Sequence, residues 1–211
     1  MALPTIAPYP LPEQRDVPAP RVPWAVDPAR AAVLVHDLQH HFLSRFAPAA
    51  EPLAPALANT ARLLDLARAA GVPVIHSHQR GGQSREERGL QYDFWGPGMP
   101  DDPASLASPE AVAPRPGDGH VTKWKYSAFA RTDLAGQLAA AGRDQLVIVG
   151  VYAHIGVQMT AADAWSHDLQ AFVVADATAD FDRERHLGAL AWIADKCGVV
   201  TTTERLAAAL R

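Results

Sequence analysis

The chain has 211 residues, of which 48% are hydrophobic and 20% charged, and its formal net charge is −4 at pH 7. This is the balance of one folded domain, and the lack of a basic patch or tail argues against nucleic acid as a partner. The single cysteine, Cys197, excludes an internal disulfide and a cysteine-rich zinc site. No apolar run reaches the ~18 residues of a membrane span and no signal-peptide pattern opens the chain, so the sequence predicts a cytoplasmic protein.

Residues 1–28 carry eight of the 18 prolines. Proline fixes φ and lacks an N–H donor, so this segment is predicted to be an extended arm. We expect the arm to wrap around its own domain or a neighbouring subunit.

Short apolar runs alternate with helical patterns from residue 29 onward. The predicted strands are 31–36, 72–77, 120–122, 145–150, 171–175 and 198–202. The predicted helices lie within 51–70, 132–141, 155–167 and 184–196, and the capping-box spacing of Thr201 and Glu204 indicates a last helix. Such alternation predicts a three-layer α/β/α domain over residues 29–211, with a six-stranded parallel sheet covered on both faces.

Polar side chains follow several of the predicted strands. Asp37 follows the first strand, Gln79 the second and Lys123 the third, while Tyr152 and Gly156 lie in the turn after the fourth. In open α/β sheets the ligand binds outside the carboxyl ends of the strands, so we expect these residues to converge.

Asp37 and Lys123 are the candidates for chemistry. Burial at a strand end raises the pKa of a carboxyl and suits a general acid, although Asp37 could instead cap the next turn. Lys123 could hold a substrate carboxylate or pair with Asp37, or it could be a solvated loop lysine. Only three lysines occur in the chain, which favours a specific role.

The turn Val151–Val157 has no Ser, Cys or Thr, and Cys197 lies late in a predicted helix. Covalent acyl-enzyme chemistry is therefore poorly supported. The same turn could still offer backbone N–H groups to an anion.

Histidines raise the question of a metal site. No His-Glu-x-x-His pattern accompanies them, so we predict no metal and interpret them as packing or surface residues. His154 is interpreted as a structural hydrogen-bonding group. The other histidines considered are His36, His40, His41, His76 and His78.

Residues 79–119 lack clear periodicity, and a segment of that length in a compact domain is typically functional or disordered. Trp95 could form an aromatic platform over a ligand or a plug that anchors the segment. Arg88 could bind a carboxylate through two hydrogen bonds, or it could be a solvated helix arginine.

The motifs together resemble the isochorismatase family over nearly the whole chain. They include Leu34-Val-His-Asp-Leu-Gln39, Asp93-Phe-Trp-Gly-Pro-Gly-Met99, Lys123-Trp-Lys-Tyr-Ser-Ala-Phe129 and Gly150-Val-Tyr-Ala-His-Ile-Gly156. The resemblance implies a parallel six-stranded sheet, no metal, no cofactor and a homodimer. It is strongest to the members that hydrolyse 2-amino-2-deoxyisochorismate.

By this resemblance Asp37 matches the catalytic acid and Lys123 the catalytic lysine. The positions that match substrate-binding residues are Gln79, Arg88, Trp95, Tyr152 and Gly156, with Phe42 as an apolar wall. Amidases of the wider superfamily are expected to place a nucleophilic cysteine where this chain has Val157, which disfavours amide hydrolysis.

The implied reaction is hydrolysis of the enolpyruvyl ether of a chorismate-derived dicarboxylate, 2-amino-2-deoxyisochorismate or isochorismate, with release of pyruvate. Three alternatives stay open: an isochorismatase of a siderophore pathway, a nicotinamidase-like amidase, and a catalytically silent binding protein. Because a neighbouring lysine would lower the pKa of Asp37, we expect its carboxyl to be protonated mainly in the substrate complex.

Overall fold

Six parallel strands form one sheet in the computed structural model, which describes residues 3–211. The spatial order of the strands is β3-β2-β1-β4-β5-β6. The strands are β1 (Ala31–His36), β2 (Val74–Gln79), β3 (Gly119–Lys123), β4 (Gln145–Val151), β5 (Gln170–Ala179) and β6 (Gly198–Thr201).

Helices cover both faces of the sheet. They are α1 (His40–Leu43), α2 (Leu53–Ala69), α3 (Arg85–Arg88), α4 (Gln91–Trp95), α5 (Pro103–Leu106), α6 (Leu134–Ala140), α7 (Gln158–Ser166), α8 (Arg183–Lys196) and α9 (Thr203–Ala209). Apolar residues of α2 and α9 pack on one face, and those of α6, α7 and α8 pack on the other. The predicted three-layer α/β/α fold is confirmed.

The central strands β1 and β4 are buried along their whole length. Such strands are apolar on both faces, which is why they appear in the sequence as continuous apolar runs. Alternate residues of β1 contribute to opposite cores, with Val33 and Val35 on one side and Ala32 and Leu34 on the other.

The first strand has its predicted bounds, and two of the others, β2 and β5, differ from the predictions by two residues or more at one end at least. The second strand begins at Val74, because Pro73 has no N–H to donate to the sheet. The fifth strand extends to Ala179, because its pairing with β4 resumes at Gly150 after a register shift between Ile148 and Gly150.

The segment after β4 also differs from the predicted helix over 155–167. The chain first makes a π-helical turn over Ala153–Val157, and α7 follows from Gln158. Residues 79–119 contain three α-helices of five residues or fewer and one 3-10 turn at Glu110–Val112.

The proline-rich arm packs against its own domain. Ile6 and Tyr9 are buried in the core cluster of the α2 face, and the Tyr9 hydroxyl donates to the Asp180 carbonyl oxygen at 3.2 Å. The arm is mostly extended, as predicted, with one 3-10 turn at Gln14–Asp16. Residues 1 and 2 of the predicted arm lie outside the described residues.

The strand order reverses next to β1. The chain moves from β1 through β2 to β3 on one side, and then places β4 on the other side of β1. Ligands bind in open α/β sheets at such a switch point, beyond the carboxyl ends of the two diverging strands. Asp37 and Tyr152 follow β1 and β4 at this point. Within residues 3–211, no helix has the length and hydropathy needed to cross a bilayer.

Candidate active site

A cavity of about 380 Å³ opens at the switch point. The structure brings together all the residues that the sequence nominated for the site. Those that line the cavity are Asp37, Phe42, Gln79, Arg88, Trp95, Lys123, Tyr152 and Gly156.

A buried ion pair lies at the base of the cavity. The Lys123 ammonium group donates to Asp37 Oδ2 at 2.7 Å, and the two residues are only 1% and 4% exposed. The Gln79 amide donates to the same carboxyl oxygen at 3.1 Å, and the Ser77 hydroxyl donates to Oδ1 at 3.2 Å. The Asp37 carboxylate is therefore held by three donors from two neighbouring strands.

Opposing effects act on the pKa of Asp37. Burial raises the pKa, but the charge of Lys123, the neighbouring His36 and the Gln79 amide lower it, and the net result is a pKa below the usual value. In the free protein Asp37 is therefore ionised at neutral pH.

The backbone of Asp37 has a left-handed conformation, with φ of 52°. This region is uncommon for residues other than glycine, and it occurs where the surrounding structure fixes it. Here the Asp37 N–H donates to the Ser77 carbonyl oxygen at 3.1 Å, and the Asp37 carbonyl accepts from the Gln39 N–H at 2.8 Å. This conformation turns the carboxyl at the end of β1 into the cavity rather than onto the following helix.

Aromatic side chains form the walls of the cavity. The Tyr152 hydroxyl donates to the Phe42 carbonyl oxygen at 2.7 Å, and the two rings meet edge to face. Burial raises the pKa of Tyr152, so its hydroxyl stays neutral. On another wall the Trp95 indole N–H donates to the Tyr126 hydroxyl at 2.7 Å, which fixes the orientation of the indole.

Arg88 comes from the long segment 79–119 and is buried at 4% exposure. Its Nε donates to the Gly96 carbonyl oxygen at 2.8 Å. Its guanidinium group packs so closely on Gly98 that a Cβ there would lie 2.2 Å from Nη1. Gly96 and Gly98 thus hold Arg88 in place at the cavity.

The turn after β4 corrects the sequence argument about the missing nucleophile. Val157 is fully buried in the core on the α7 face and does not line the cavity, whereas Gly156 does. The expectation that Val157 occupies the nucleophile position is therefore wrong. Of these two residues, Gly156, which has no side chain, is the one that lines the cavity with Asp37 and Lys123.

His36 occupies the space beside Gly156. A Cβ on Gly156 would lie 2.2 Å from Cε1 of the imidazole. His36 Nδ1 lies 3.0 Å from the Val151 carbonyl oxygen, and burial lowers the pKa of His36 to about 4. The ring is thus a neutral spacer whose Nδ1 donates to that carbonyl.

Three other histidines form hydrogen bonds with partners of their own, away from the Asp37–Lys123 pair. His76 pairs with Asp118 at 3.2 Å, and His78 lies 3.1 Å from the Ser108 hydroxyl. His154 is hydrogen-bonded to Asp180 outside the cavity, as the structural interpretation expects. No three His, Cys, Asp or Glu side chains of the described chain form a group that could hold a metal ion. Cys197 is buried in the α8 core, and burial raises the pKa of its thiol to about 11.

Sequence reasoning missed several residues that line the cavity. Leu3 reaches it from the arm, and His41 and Arg45 reach it from α1 and the turn that follows. The spacing of His41 and Phe42 from Asp37 indicates that the α1 turn lies near the site. No sequence signal places Arg45 or the arm there.

Comparison with known proteins agrees with this geometry. The sequence model of the isochorismatase domain matches residues 31–205. The chain belongs to the isochorismatase family. Phenazine biosynthesis protein PhzD of Pseudomonas fluorescens is 47% identical to it, over 97% of this chain and 98% of that protein. An isochorismatase of Bacillus subtilis is 42% identical over 98% of this chain and 66% of its own length.

Solved structures of the isochorismatase family share the fold. An isochorismatase family protein from Burkholderia thailandensis superposes with a TM-score of 0.77 at 30% identity, covering 88% of this chain and 97% of that one. The protein is thus an isochorismatase-type hydrolase, and the cavity at the switch point is its candidate active site.

Proposed function

We propose that the enzyme hydrolyses the enolpyruvyl ether of 2-amino-2-deoxyisochorismate and releases pyruvate. The observation that carries the proposal is the buried Asp37 carboxyl, which is paired with Lys123 in a cavity that is also lined by a glycine, not a nucleophile, at residue 156. This arrangement supplies an acid and a cation at the base of a cavity of about 380 Å³, which suits protonation of an alkene followed by addition of water.

The reaction begins with transfer of a proton from the Asp37 carboxyl to the terminal methylene carbon of the enolpyruvyl group. The alkene electrons form the new C–H bond, and an oxocarbenium ion develops at the ether carbon. Water adds to that carbon, and its proton returns to the Asp37 carboxylate. The resulting hemiketal collapses to pyruvate and the ring alcohol.

Because of Lys123, the protonation of Asp37 depends on whether the substrate is bound. In the free enzyme Lys123 keeps Asp37 ionised. The two carboxylates of the substrate partly neutralise the positive charge of the cavity, and they add negative charge beside Asp37. Both effects favour uptake of a proton by Asp37. The acid is therefore formed when the substrate binds.

The 47% identity to the phenazine biosynthesis protein PhzD supports the amino compound. Isochorismate, with a hydroxyl in place of the amine, is the second candidate, and it would correspond to a siderophore-type isochorismatase. The amidase alternative lacks support, because Gly156 offers no thiol. A silent binding protein would not require a buried acid beside a lysine.

The test is pyruvate release, followed with coupled lactate dehydrogenase, from each of the two substrates. Wild-type enzyme is expected to release pyruvate with a higher kcat/KM for the amino compound. Asp37→Asn keeps the shape of the side chain but not its acidity, and should lower kcat by about 10²- to 10⁴-fold. Asp195→Asn, an exposed aspartate of α8, is the matched control and should leave kcat unchanged. Near-wild-type turnover by Asp37→Asn would contradict the assignment, and no pyruvate from either substrate would contradict the function.

We also propose that the enzyme is a cytoplasmic homodimer. Large apolar side chains are exposed on α7 and α8, among them Trp165 at 56% and Trp192 at 39%, and such surfaces commonly mediate association. Gel filtration with light scattering should give the mass of two chains, and a monomer at micromolar concentration would refute the dimer.

A further inference from the structure

Arg45 is a cationic residue of the cavity that neither the sequence motifs nor the proposed mechanism uses. It lies just beyond α1, two residues after Leu43, and it lines the same cavity as Asp37 and Lys123. Arg45 and Arg88 both lower the pKa of the His41 imidazole, after the larger effect of burial. Both guanidinium groups are therefore close to the same wall of the cavity.

The guanidinium group of Arg45 has no protein partner among residues 3–211. Its Nε is buried without a hydrogen bond, and no described carboxylate forms an ion pair with it. Several other arginines are neutralised locally, as Arg68 is by Asp118 at 2.6 Å and Arg30 by Asp144 at 2.7 Å. A buried donor without a partner is costly, so such a group is commonly completed by a ligand.

The charge of the cavity indicates what kind of ligand would pair with the Arg45 guanidinium group. Three basic side chains line it, Arg45, Arg88 and Lys123, against the single carboxylate of Asp37. Lys123 is paired with Asp37, so two guanidinium charges are left without a counter-charge. A ligand with two carboxylates would neutralise both.

The backbone around Arg45 is fixed rather than free. The Arg45 carbonyl oxygen accepts from the Ile6 N–H at 2.8 Å, and the next residue, Phe46, forms a β-bridge with Ile6. The arm therefore holds Arg45 at the rim, and Leu3 of the same arm lines the cavity beside it. A fixed backbone places the guanidinium group within reach of a planar carboxylate, with which it can form two parallel hydrogen bonds.

We propose that Arg45 binds one of the two carboxylates of the substrate and, with Arg88, makes the site selective for dicarboxylates. This inference deepens the proposed function and rests on it for the identity of the substrate. The recognition of two carboxylates, however, is a property of the cavity that binding alone can test.

The first measurement is binding of isophthalate, a ring dicarboxylate that the enzyme cannot hydrolyse, compared with benzoate, by isothermal titration calorimetry. Wild-type protein should bind isophthalate more tightly than benzoate. Arg45→Gln should weaken isophthalate binding by about 10- to 100-fold, which is the usual effect of losing one hydrogen-bonded charge pair. It should weaken benzoate binding by a smaller factor. Arg15→Gln removes a charge from a side chain that is 77% exposed, and it should change neither affinity.

The second measurement is steady-state pyruvate release. Arg45→Gln should raise KM by a similar factor with little change in kcat, because Arg45 does not take part in proton transfer. Arg45→Lys keeps the charge and the aliphatic stem but not the planar fork, so it should give an intermediate KM. Thermal unfolding of each variant checks that the fold is intact, and the lysine variant carries the test if the glutamine variant is unstable.

The outcomes separate the two proposals. If wild-type enzyme releases pyruvate and Arg45→Gln leaves both KM and isophthalate affinity unchanged, the role of Arg45 is refuted and the function stands. If isophthalate binding depends on Arg45 but neither ether is hydrolysed, the dicarboxylate site stands and the proposed function fails. Equal loss of benzoate and isophthalate affinity in Arg45→Gln would also overturn the role of Arg45 in selecting two carboxylates.

Discussion

The ammonium group of Lys123 controls the ionisation of Asp37. Lys123→Met removes the charge 2.7 Å from the carboxyl while leaving Asp37 buried. Burial still raises the pKa of Asp37, but the charge of Lys123 no longer lowers it. The pKa of Asp37 should therefore rise. A general acid is active when protonated, and the rate falls as pH rises past its pKa. The descending limb of the kcat/KM profile should therefore move to higher pH in Lys123→Met, and a limb that stays in place or moves to lower pH would contradict this role.

Stability gives an independent measure of the same ion pair. Removing one partner of a buried pair leaves an uncompensated charge and typically costs about 3–5 kcal/mol. Lys123→Met alone should lose that much unfolding free energy in urea at pH 7. The double variant Asp37→Asn/Lys123→Met should recover most of it, because no charge is then left buried. Equal stability of the single and double variants would show that the pair is not coupled.

At the scale of elements, the contact between the end of β1 and the π-helical turn after β4 shapes the site. A Cβ on Gly156 would lie 2.2 Å from the fully buried His36 ring, so the ring or the turn would have to shift. Gly156→Ala should therefore destabilise the protein by about 1–3 kcal/mol, as overpacking does. Gly136→Ala in α6 meets no atom within 4 Å and should be neutral or stabilising.

Replacing His36 with a smaller residue tests why Gly156→Ala loses stability. In the double variant Gly156→Ala/His36→Ala the space of the imidazole is free, so Gly156→Ala should cost less in this background than in the wild type. Unfolding midpoints of the four proteins form a double-mutant cycle. An unchanged cost of Gly156→Ala would place the strain in the backbone of the turn rather than in the contact with His36.

The same elements show which features of the fold and the site could be predicted from the sequence. The β1 and β4 strands were predictable because burial on both faces leaves continuous apolar runs, and Asp37 was predictable because it ends one of them. The orientation of the 151–157 turn was not predictable, since a π-helical turn shifts the residue that faces the cavity from Val157 to Gly156. Arg45 was not predictable either, because its place at the cavity depends on a hydrogen bond to the distant Ile6.

At the scale of the whole molecule, buried histidines link the stability of the fold to pH. His186 joins the arm to the sheet: its Nδ1 lies 3.2 Å from the Tyr9 hydroxyl and its Nε2 lies 2.9 Å from the Thr178 hydroxyl. Burial lowers the pKa of His186 to about 4, as it does for His36. In an unfolded chain these histidines titrate near ~6.5.

The sign of the pH effect follows from this difference. Below pH ~6.5 the unfolded chain binds protons that the folded protein excludes, so acid favours unfolding. The stabilisation is complete above that pH and is lost as the pH falls toward the folded-state values of about 4. Each buried histidine contributes a slope of up to ~1.4 kcal/mol per pH unit in this window. The free energy of unfolding should therefore change little between pH 7.5 and about pH 6.5 and decrease from there to pH 5.

Urea unfolding at pH 7.5, 6 and 5 measures that slope while staying above the range where the paired carboxylates titrate. His186→Gln keeps a hydrogen-bonding side chain between Tyr9 and Thr178 but cannot take up a proton, so its slope should be smaller by up to one proton equivalent. His40→Gln, on the exposed side of α1, is the matched control and should keep the wild-type slope. If stability were flat from pH 7.5 to 5, or if His186→Gln kept the full slope, the histidine beside the arm would not be the group that links acid to unfolding.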